Sequence, residues 1–125
     1  MKTIGRRNWA LPGGRIPPTS QGHEPELTSR DELSILNATD QQAHVDITIY
    51  YADREPVGPY SVAVPPRRVK VLRLNDLINP EAMPLGTNYA LVSESEVPVV
   101  VQFFRLDSSL SEGAMLGALA FPDDV

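Results

Sequence analysis

The pattern of apolar and polar residues predicts β-strands along most of the chain. The clearest segment is His44–Tyr51, in which Val45, Ile47 and Ile49 alternate with polar side chains. Successive side chains of a strand point to opposite faces of a sheet, so this segment predicts a strand with one buried face and one polar face.

Similar segments recur, separated by clusters of turn-forming residues. The predicted strands are Asn8–Leu11, a segment containing Leu33 and Ile35, His44–Tyr51, Tyr60–Val64, Arg67–Leu74, Ala90–Ser93, Val99–Leu106 and Ala114–Phe121. Evenly spaced short strands are typical of sandwiches and barrels. The sequence therefore predicts an all-β fold, an antiparallel, jelly-roll-like β-sandwich of about eight strands. Residues 1–125 are expected to form a single domain.

The last apolar segment of the chain could form either a helix or a strand. Residues 110–120 place apolar side chains at helical spacing, but Gly113 and Gly117 would each cost a helix about 1 kcal/mol. A strand is therefore predicted for residues 110–120. Elsewhere, one helical turn is expected at Asn75–Leu77.

The strands Val99–Leu106 and Ala114–Phe121 are apolar on both faces, which predicts a central position or cover by another subunit.

Composition excludes several classes of protein. The chain of 125 residues has no cysteine, which removes disulfide scaffolds and thiolate metal sites, and it has 12 prolines, which disfavour a helical fold. No apolar segment is long enough to cross a membrane, and no secretory signal follows Met1–Arg7, so a soluble, cytoplasmic protein without membrane insertion is expected. The net charge of −5 disfavours unspecific binding to nucleic acid.

Catalytic and metal chemistry find little support in the sequence. His44 and Asp46 share one strand face, but two ligands do not make a metal site. No G-x-S-x-G motif is present, and only two histidines could act as a base. The prediction is a protein that is not an enzyme and has no metal and no cofactor.

Three groups of residues are candidates for binding. A ligand platform, for a sugar or another small molecule, combines aromatic rings with polar groups of an adjacent turn, although the same rings also suit a sandwich core; its members are Trp9, Tyr50, Tyr51, Arg54, Glu55 and Tyr60. A basic run could contact the phosphates of DNA, or it could contact a partner protein, but an edge strand protected by charge is the favoured interpretation; it comprises Arg67, Arg68, Lys70 and Arg73. Interface residues are expected on the penultimate strand; they are Val99, Val101, Phe103, Arg105 and Asp107. The last two could form an inter-chain ion pair at the end of the strand, but a structural role is favoured for them.

Longer stretches of the chain resemble a known family. They are residues 43–51, 55–60, 67–68, 75–77, 97–102 and 105–108, together with Gly5, Trp9-Ala10, Ile16-Pro17-Pro18 and Glu24-Pro25 near the beginning. With similar spacings throughout, the chain resembles the sensory rhodopsin transducer family over almost its whole length. Where the family is expected to have an acidic residue before a glycine in the first loop, this chain has Gly13-Gly14.

The resemblance implies a small all-β sandwich that assembles as a homotetramer. It implies a soluble protein that docks on the cytoplasmic side of a seven-helix retinal photoreceptor and relays its signal. It also implies two alternatives, a carbohydrate-binding module and a DNA-binding regulator, because likeness of fold by itself does not establish an activity.

Overall fold

The computed structural model describes residues 3–110 and 112–123. The strands are β1 (Arg6–Gly14), β2 (Arg30–Asn37), β3 (Ala43–Tyr51), β4 (Val57–Val64), β5 (Arg68–Arg73), β6 (Tyr89–Asp107), β7 (Ala114–Leu119) and β8 (Phe121–Pro122). One short 3-10 helix spans Leu74–Asp76, one residue earlier than the predicted turn. The described residues contain no α-helix, and the predicted all-β antiparallel sandwich is confirmed. The predicted domain of residues 1–125 also includes residues 1, 2, 111, 124 and 125, which lie outside the described residues.

Strand β6 joins the two sheets of the sandwich. The first sheet has the strand order β4-β3-β6-β1-β8, and its contacts with β6 come from the first half of that strand. The second sheet has the order β5-β2-β6-β7 and uses the second half of β6. All of these pairings are antiparallel, so a single 19-residue strand passes through both layers.

The continuity of β6 corrects the prediction of two separate strands, Ala90–Ser93 and Val99–Leu106. Val97-Pro98 indicated an interruption, because proline cannot donate a hydrogen bond to a sheet. In the ladder with β1, however, Asn8 pairs with Glu94 and Arg6 pairs with Val99, so β6 uses five residue steps where β1 uses two. Pro98 lies in this bulge, where a missing N–H group interrupts no regular ladder.

The core lies between the sheets and follows the predicted alternation. In β3, Val45, Ile47 and Ile49 are fully buried, while His44 and Asp46 are exposed on the outer face of the first sheet. Burying a side chain of this size contributes about 1.5–3 kcal/mol. The inward positions of both sheets therefore supply the main stabilisation of the sandwich.

The last long strand occupies an edge of the second sheet. The prediction of a strand within residues 110–120 is confirmed by β7. Of the two predicted positions, the central one is excluded, since β7 pairs only with β6 among the described residues, while cover by another subunit stays a prediction. Every residue of β7 is exposed. No helix in the described part of the chain is long and apolar enough to span a membrane.

Candidate functional site

The proposed aromatic platform is divided between core and surface. Trp9 is 4% exposed, and its indole Nε1 donates to the carbonyl oxygen of Val99 at 2.9 Å. Tyr60 is also buried, and its hydroxyl donates to the carbonyl oxygen of Glu81 at 2.6 Å. Two of the predicted rings therefore hold the sandwich together and present no face to a ligand.

The remaining members of the platform lie at the end of β3 and in the turn that follows. The guanidinium carbon of Arg54 lies 4.6 Å from the centre of the Tyr51 ring, a cation–π contact. Burial raises the pKa of the Tyr51 phenol, and the positive charge of Arg54 opposes that shift. Tyr50 and Glu55 are exposed. Tyr50 points away from the core on the outer face of the first sheet, so it does not join Trp9 and Tyr60.

A buried carboxylate organises one end of the sandwich. Asp31 is fully buried in β2 and accepts a hydrogen bond from the Tyr89 hydroxyl at 2.7 Å. Arg105 donates to both carboxylate oxygens, at 2.8 and 3.2 Å, and the backbone N–H of Arg15 donates at 3.1 Å. Sequence reasoning missed Asp31, although it precedes Leu33 and Ile35 at the spacing of one strand face.

This cluster changes the interpretation of Arg105 and Asp107. The sequence made Arg105 a candidate for an inter-chain ion pair but favoured a structural role. Its carboxylate partner is Asp31 of the same chain, and that hydrogen bond raises the pKa of the guanidinium. Asp107 accepts a hydrogen bond from the backbone N–H of Ser109 at 3.0 Å. Hydrogen bonding by Ser109 lowers the pKa of the Asp107 carboxyl. Both side chains therefore have structural partners within one protomer.

The other three predicted interface residues lie inside the protomer. Val99 and Val101 are 0% exposed and Phe103 is 2% exposed, all belonging to the core between the sheets. Their side chains alternate with outward-facing residues of the same strand. Any contact that this strand makes with another chain would use the outward residues, because the inward ones are already covered.

The basic run is split between two faces. In β5, Val69 and Val71 pair with Leu36 and Ser34 on the outer face of the second sheet, and the basic side chains flank these valines.

The basic side chains have different partners. Arg67 forms an exposed ion pair with Asp40, and Lys70 donates to the carbonyl oxygen of Ala63 at 3.4 Å. Arg68 is exposed at the start of β5, and Arg73 is partly buried at its end. DNA binding through these residues stays a prediction.

The outer face of the second sheet exposes several large apolar side chains, with polar residues such as Ser34 and Gln102 between them. The register brings the outward residues of its strands side by side, and several are strongly exposed. We call this the apolar face; its exposed members are Leu36 (40%), Val69 (62%), Val71 (56%), Met115 (74%) and Leu119 (64%). Half-buried Val100 and Phe104 lie between them on β6. Large exposed apolar side chains gathered on one face are typical of interaction sites.

The outer face of the first sheet carries a polar groove. It measures about 540 Å³ and crosses β1, β3 and β6; we call it the polar groove, and it is lined by Arg7, Asn8, Gln42, His44, Asp46, Glu94, Ser95, Glu96 and Val97. No group of three or more metal-ligating side chains that could hold an ion occurs among the described residues. The sequence indicated His44 and Asp46 on this face, whereas Glu94 and Glu96 join them only through the pairing of β3 with β6.

Comparison with known proteins places the chain among relatives of defined fold. Residues 4–122 match the model of the family described as the Anabaena sensory rhodopsin transducer. A solved structure named "Anabaena sensory rhodopsin transducer" is 48% identical, with a TM-score of 0.71, over 82% of this chain and 99% of that chain. A Thermotoga maritima structure, "Thermotoga maritima 1070", is 32% identical with a TM-score of 0.86, over 96% of this chain and 97% of that one. No curated protein sequence matches significantly.

Proposed function

Because the chain belongs to the Anabaena sensory rhodopsin transducer family, we propose that it is a signal-relaying interaction protein rather than an enzyme. Its partner in this proposal is a seven-helix retinal photoreceptor, which it meets on the cytoplasmic side of the membrane. The observation that carries the proposal is the family match over residues 4–122, together with 48% identity to a structure named as the transducer.

The most conspicuous charged cluster of the molecule supports a structural rather than a catalytic role. Asp31 receives hydrogen bonds from Arg105, Tyr89 and the backbone of Arg15. A buried carboxylate with this many donors is held in one position. This arrangement is suited to a rigid scaffold that presents surfaces to partners.

The proposal includes self-association through the apolar face, in the four-copy assembly that the resemblance implies. The two free edges of the second sheet differ in character. Strand β5 carries arginine and lysine, which protect an edge from unwanted pairing, whereas β7 has no charged residue and no proline. An unprotected edge beside an apolar face is suited to contact with another copy. A symmetric assembly would also repeat a weak receptor-binding surface and gain avidity.

Binding to the photoreceptor is tested directly with the full chain. A seven-helix retinal protein from the same host, inserted in lipid nanodiscs, is immobilised, and the chain is passed over it at physiological salt. The proposal expects saturable binding that empty nanodiscs do not show. Equal retention on empty nanodiscs, or no retention on the receptor, would contradict it.

Affinity capture from soluble extract and membranes of the host tests the two alternatives. Retention of DNA with an affinity that falls steeply with salt would favour the regulator, since phosphate contacts release counterions. Retention of glycans alone would favour a carbohydrate-binding module. Both alternatives stay predictions, and recovery of the retinal protein favours the proposed function over each of them.

A further inference from the structure

Both ends of strand β6 lie at the same end of the sandwich. Tyr89, its first residue, and Arg105, near its last, are both bonded to Asp31 at the start of β2. The loops between the strands meet at this point; they are residues 15–29, 52–56, 74–88, 108–110 and 112–113. These loops form one surface of the molecule, and we call it the acidic end for the charge that it carries.

The acidic end holds most of the unbalanced charge of the molecule. Against Arg15, Arg54 and His23, its loops expose seven carboxylates: Glu24, Glu26, Asp53, Glu55, Asp76, Glu81 and Glu112. Only Asp53 among these takes part in an ion pair between described residues, with Arg54. At the opposite end, the loops 38–42 and 65–67 carry Asp40 and Arg67, which pair with each other. The acidic end is therefore the part of the described chain whose field favours a cationic partner.

An apolar pocket opens within the acidic end, and we call it the end pocket. It measures about 280 Å³ and lies between residues 21–27 and the turn from β6 to β7; its apolar wall consists of Leu27, Leu106, Leu110, Ala114 and Met115. Leu27 is 44% exposed and Leu110 is 68% exposed. Sites for drug-sized molecules usually measure about 300–1,000 Å³. The end pocket is therefore suited to one large side chain of a partner.

Carboxylates stand on both sides of the end pocket. Glu112 lines it directly, next to the start of β7. Glu26 precedes Leu27 in the opposite wall, and its side chain is exposed. An apolar pocket with a charged, solvent-exposed rim has the usual anatomy of a protein-binding site, in which a buried anchor supplies affinity and the rim supplies complementarity.

Hydrogen bonds hold the two walls of the end pocket together. The backbone N–H of Gln21 donates to the carbonyl oxygen of Ser108 at 2.7 Å, and its side-chain amide donates to the carbonyl oxygen of Ser109 at 2.9 Å. The backbone N–H of Ser108 donates to the Ser29 hydroxyl at 2.9 Å. The pocket is therefore formed before a partner arrives, which reduces the entropy lost on binding.

We propose that the acidic end binds a segment rich in lysine and arginine that inserts one apolar side chain into the end pocket. The cytoplasmic loops of membrane proteins carry an excess of lysine and arginine. A cytoplasmic loop of the seven-helix receptor therefore has the required chemistry, whereas anionic lipid headgroups are repelled by the same carboxylates. The proposal rests on the proposed function and adds to it the surface that meets the receptor.

The end pocket adjoins the apolar face without coinciding with it. Met115 belongs to both, whereas Leu27 and Leu110 lie outside the apolar face. A substitution at Met115 would thus change two surfaces together. Leu110 is the better position for a test, because its replacement leaves the outward residues of the second sheet unchanged.

The first measurement is an NMR titration of the full, isotope-labelled chain with a short capped peptide at low salt. The peptide alternates lysine and arginine around one central phenylalanine. It is expected to shift the amide signals of residues 21–27, 106–110 and 112–115 in a saturable way. A peptide with alanine in place of phenylalanine should bind roughly tenfold more weakly, because it buries less apolar surface. A peptide with glutamate in place of lysine and arginine should not bind.

Matched variants separate the contribution of the pocket from that of charge. Leu110→Ser should weaken binding of the phenylalanine peptide roughly tenfold. Its control is Ile4→Ser, which removes an apolar side chain of similar exposure at the opposite end, and this variant should bind as the unchanged chain does.

The charge is tested by the double variant Glu26→Lys with Glu112→Lys. It should bind the peptide roughly tenfold more weakly at low salt, and the difference should shrink at high salt, because salt screens exposed charges. The double variant Glu94→Lys with Glu96→Lys makes the same change of charge on the outer face of the first sheet and serves as the control. A circular dichroism spectrum checks that each variant is folded.

The proposal is overturned if the phenylalanine peptide gives no saturable shifts, if the alanine peptide binds as tightly, or if the variants at the acidic end bind as tightly as their controls. The same variants are then measured on the receptor in nanodiscs, where Leu110→Ser should bind more weakly than Ile4→Ser. Equal receptor binding by all variants would overturn this surface and leave the proposed function standing. An unchanged chain that binds the peptide but not the receptor would overturn the receptor as partner, and the proposed function with it.

Discussion

At the scale of single residues, Asp31 shows how a buried charge is accommodated. Its carboxylate is fully buried and is bonded to Arg105, Tyr89 and the backbone N–H of Arg15. Removing one partner of such a buried group is far more costly than removing an exposed ion pair, because the charge is then left incompletely satisfied. The cluster ties β2 to β6 and to the loop after β1.

Replacement of Tyr89 by phenylalanine tests this cluster. At neutral pH, Tyr89→Phe removes the 2.7 Å hydrogen bond to Asp31. The free energy of unfolding should fall by about 1.5–3 kcal/mol, the usual range for a hydrogen bond to a charged group. Denaturant unfolding at pH 7 measures it. A variant as stable as the unchanged chain would contradict this account of the cluster.

The pH dependence of the same side chain gives a second prediction. Burial, followed by the charge of Asp31, raises the pKa of Tyr89 above its usual value of 10.0. As pH rises above 10, the unfolded chain loses this proton while the folded chain retains it, so stability falls by up to about 1.4 kcal/mol per pH unit. Tyr89→Phe should reduce that slope between pH 10 and 11. Burial also raises the pKa of Tyr51 and Tyr60, so part of the alkaline decline should remain in the variant. Equal slopes for both proteins would refute the assignment to Tyr89.

At the scale of elements, the end of β1 depends on a close approach to β6. Gly14 pairs with Tyr89, and a Cβ atom at this glycine would lie 2.1 Å from Cζ of the tyrosine ring. The preceding Gly13 has no atom within 4 Å of such a Cβ position. Two adjacent glycines of one strand therefore have different roles, since only Gly14 makes room for a neighbour.

The pair of glycines provides a matched test of strand packing. Gly14→Ala should lower the free energy of unfolding by about 1–3 kcal/mol, because the Tyr89 ring has to move within a filled core. Gly13→Ala should change it by less than about 0.5 kcal/mol, as surface substitutions usually do. Thermal or denaturant unfolding compares the two. Similar stabilities would show that β1 can move away from β6 without cost.

At the scale of the whole molecule, the two outer faces have opposite chemistry. The first sheet exposes the polar groove with Asp46 and Glu94, whereas the second exposes the apolar face with Met115 and Leu119. Strand β6 contributes to both, because its two halves belong to different sheets. The two outer faces therefore offer different chemistry to a partner.

Self-association through the apolar face is tested by charge substitution. The purified chain should elute as an oligomer, four copies in the proposed assembly, in size-exclusion chromatography with light scattering. Met115→Asp and Leu119→Asp should shift it toward the monomer, since a charge placed in an apolar contact has to be desolvated. Tyr50→Asp, on the outer face of the first sheet, is the control and should leave the mass unchanged. A monomeric parent chain at micromolar concentration would refute the assembly.

The all-β class, the alternation in β3 and the strand within residues 110–120 were determined by the sequence alone. These features depend on neighbouring residues, because side-chain period and glycine content act within a few positions. Val45, Ile47 and Ile49 are buried as their spacing predicts. The long-range resemblance also indicated the family, which the match over residues 4–122 confirms.

Only the tertiary structure decided which strands lie side by side and which face each residue shares. Pro98 indicated a break, yet β6 continues because its ladder with β1 contains a bulge at that point. The sequence favoured a structural role for Arg105 without naming its partner, and that partner, Asp31, is 74 positions away in the same chain. The polar groove and the apolar face likewise depend on register, which joins residues distant in sequence. Local propensity carries no information about such pairs, so these two surfaces could not be read from the sequence.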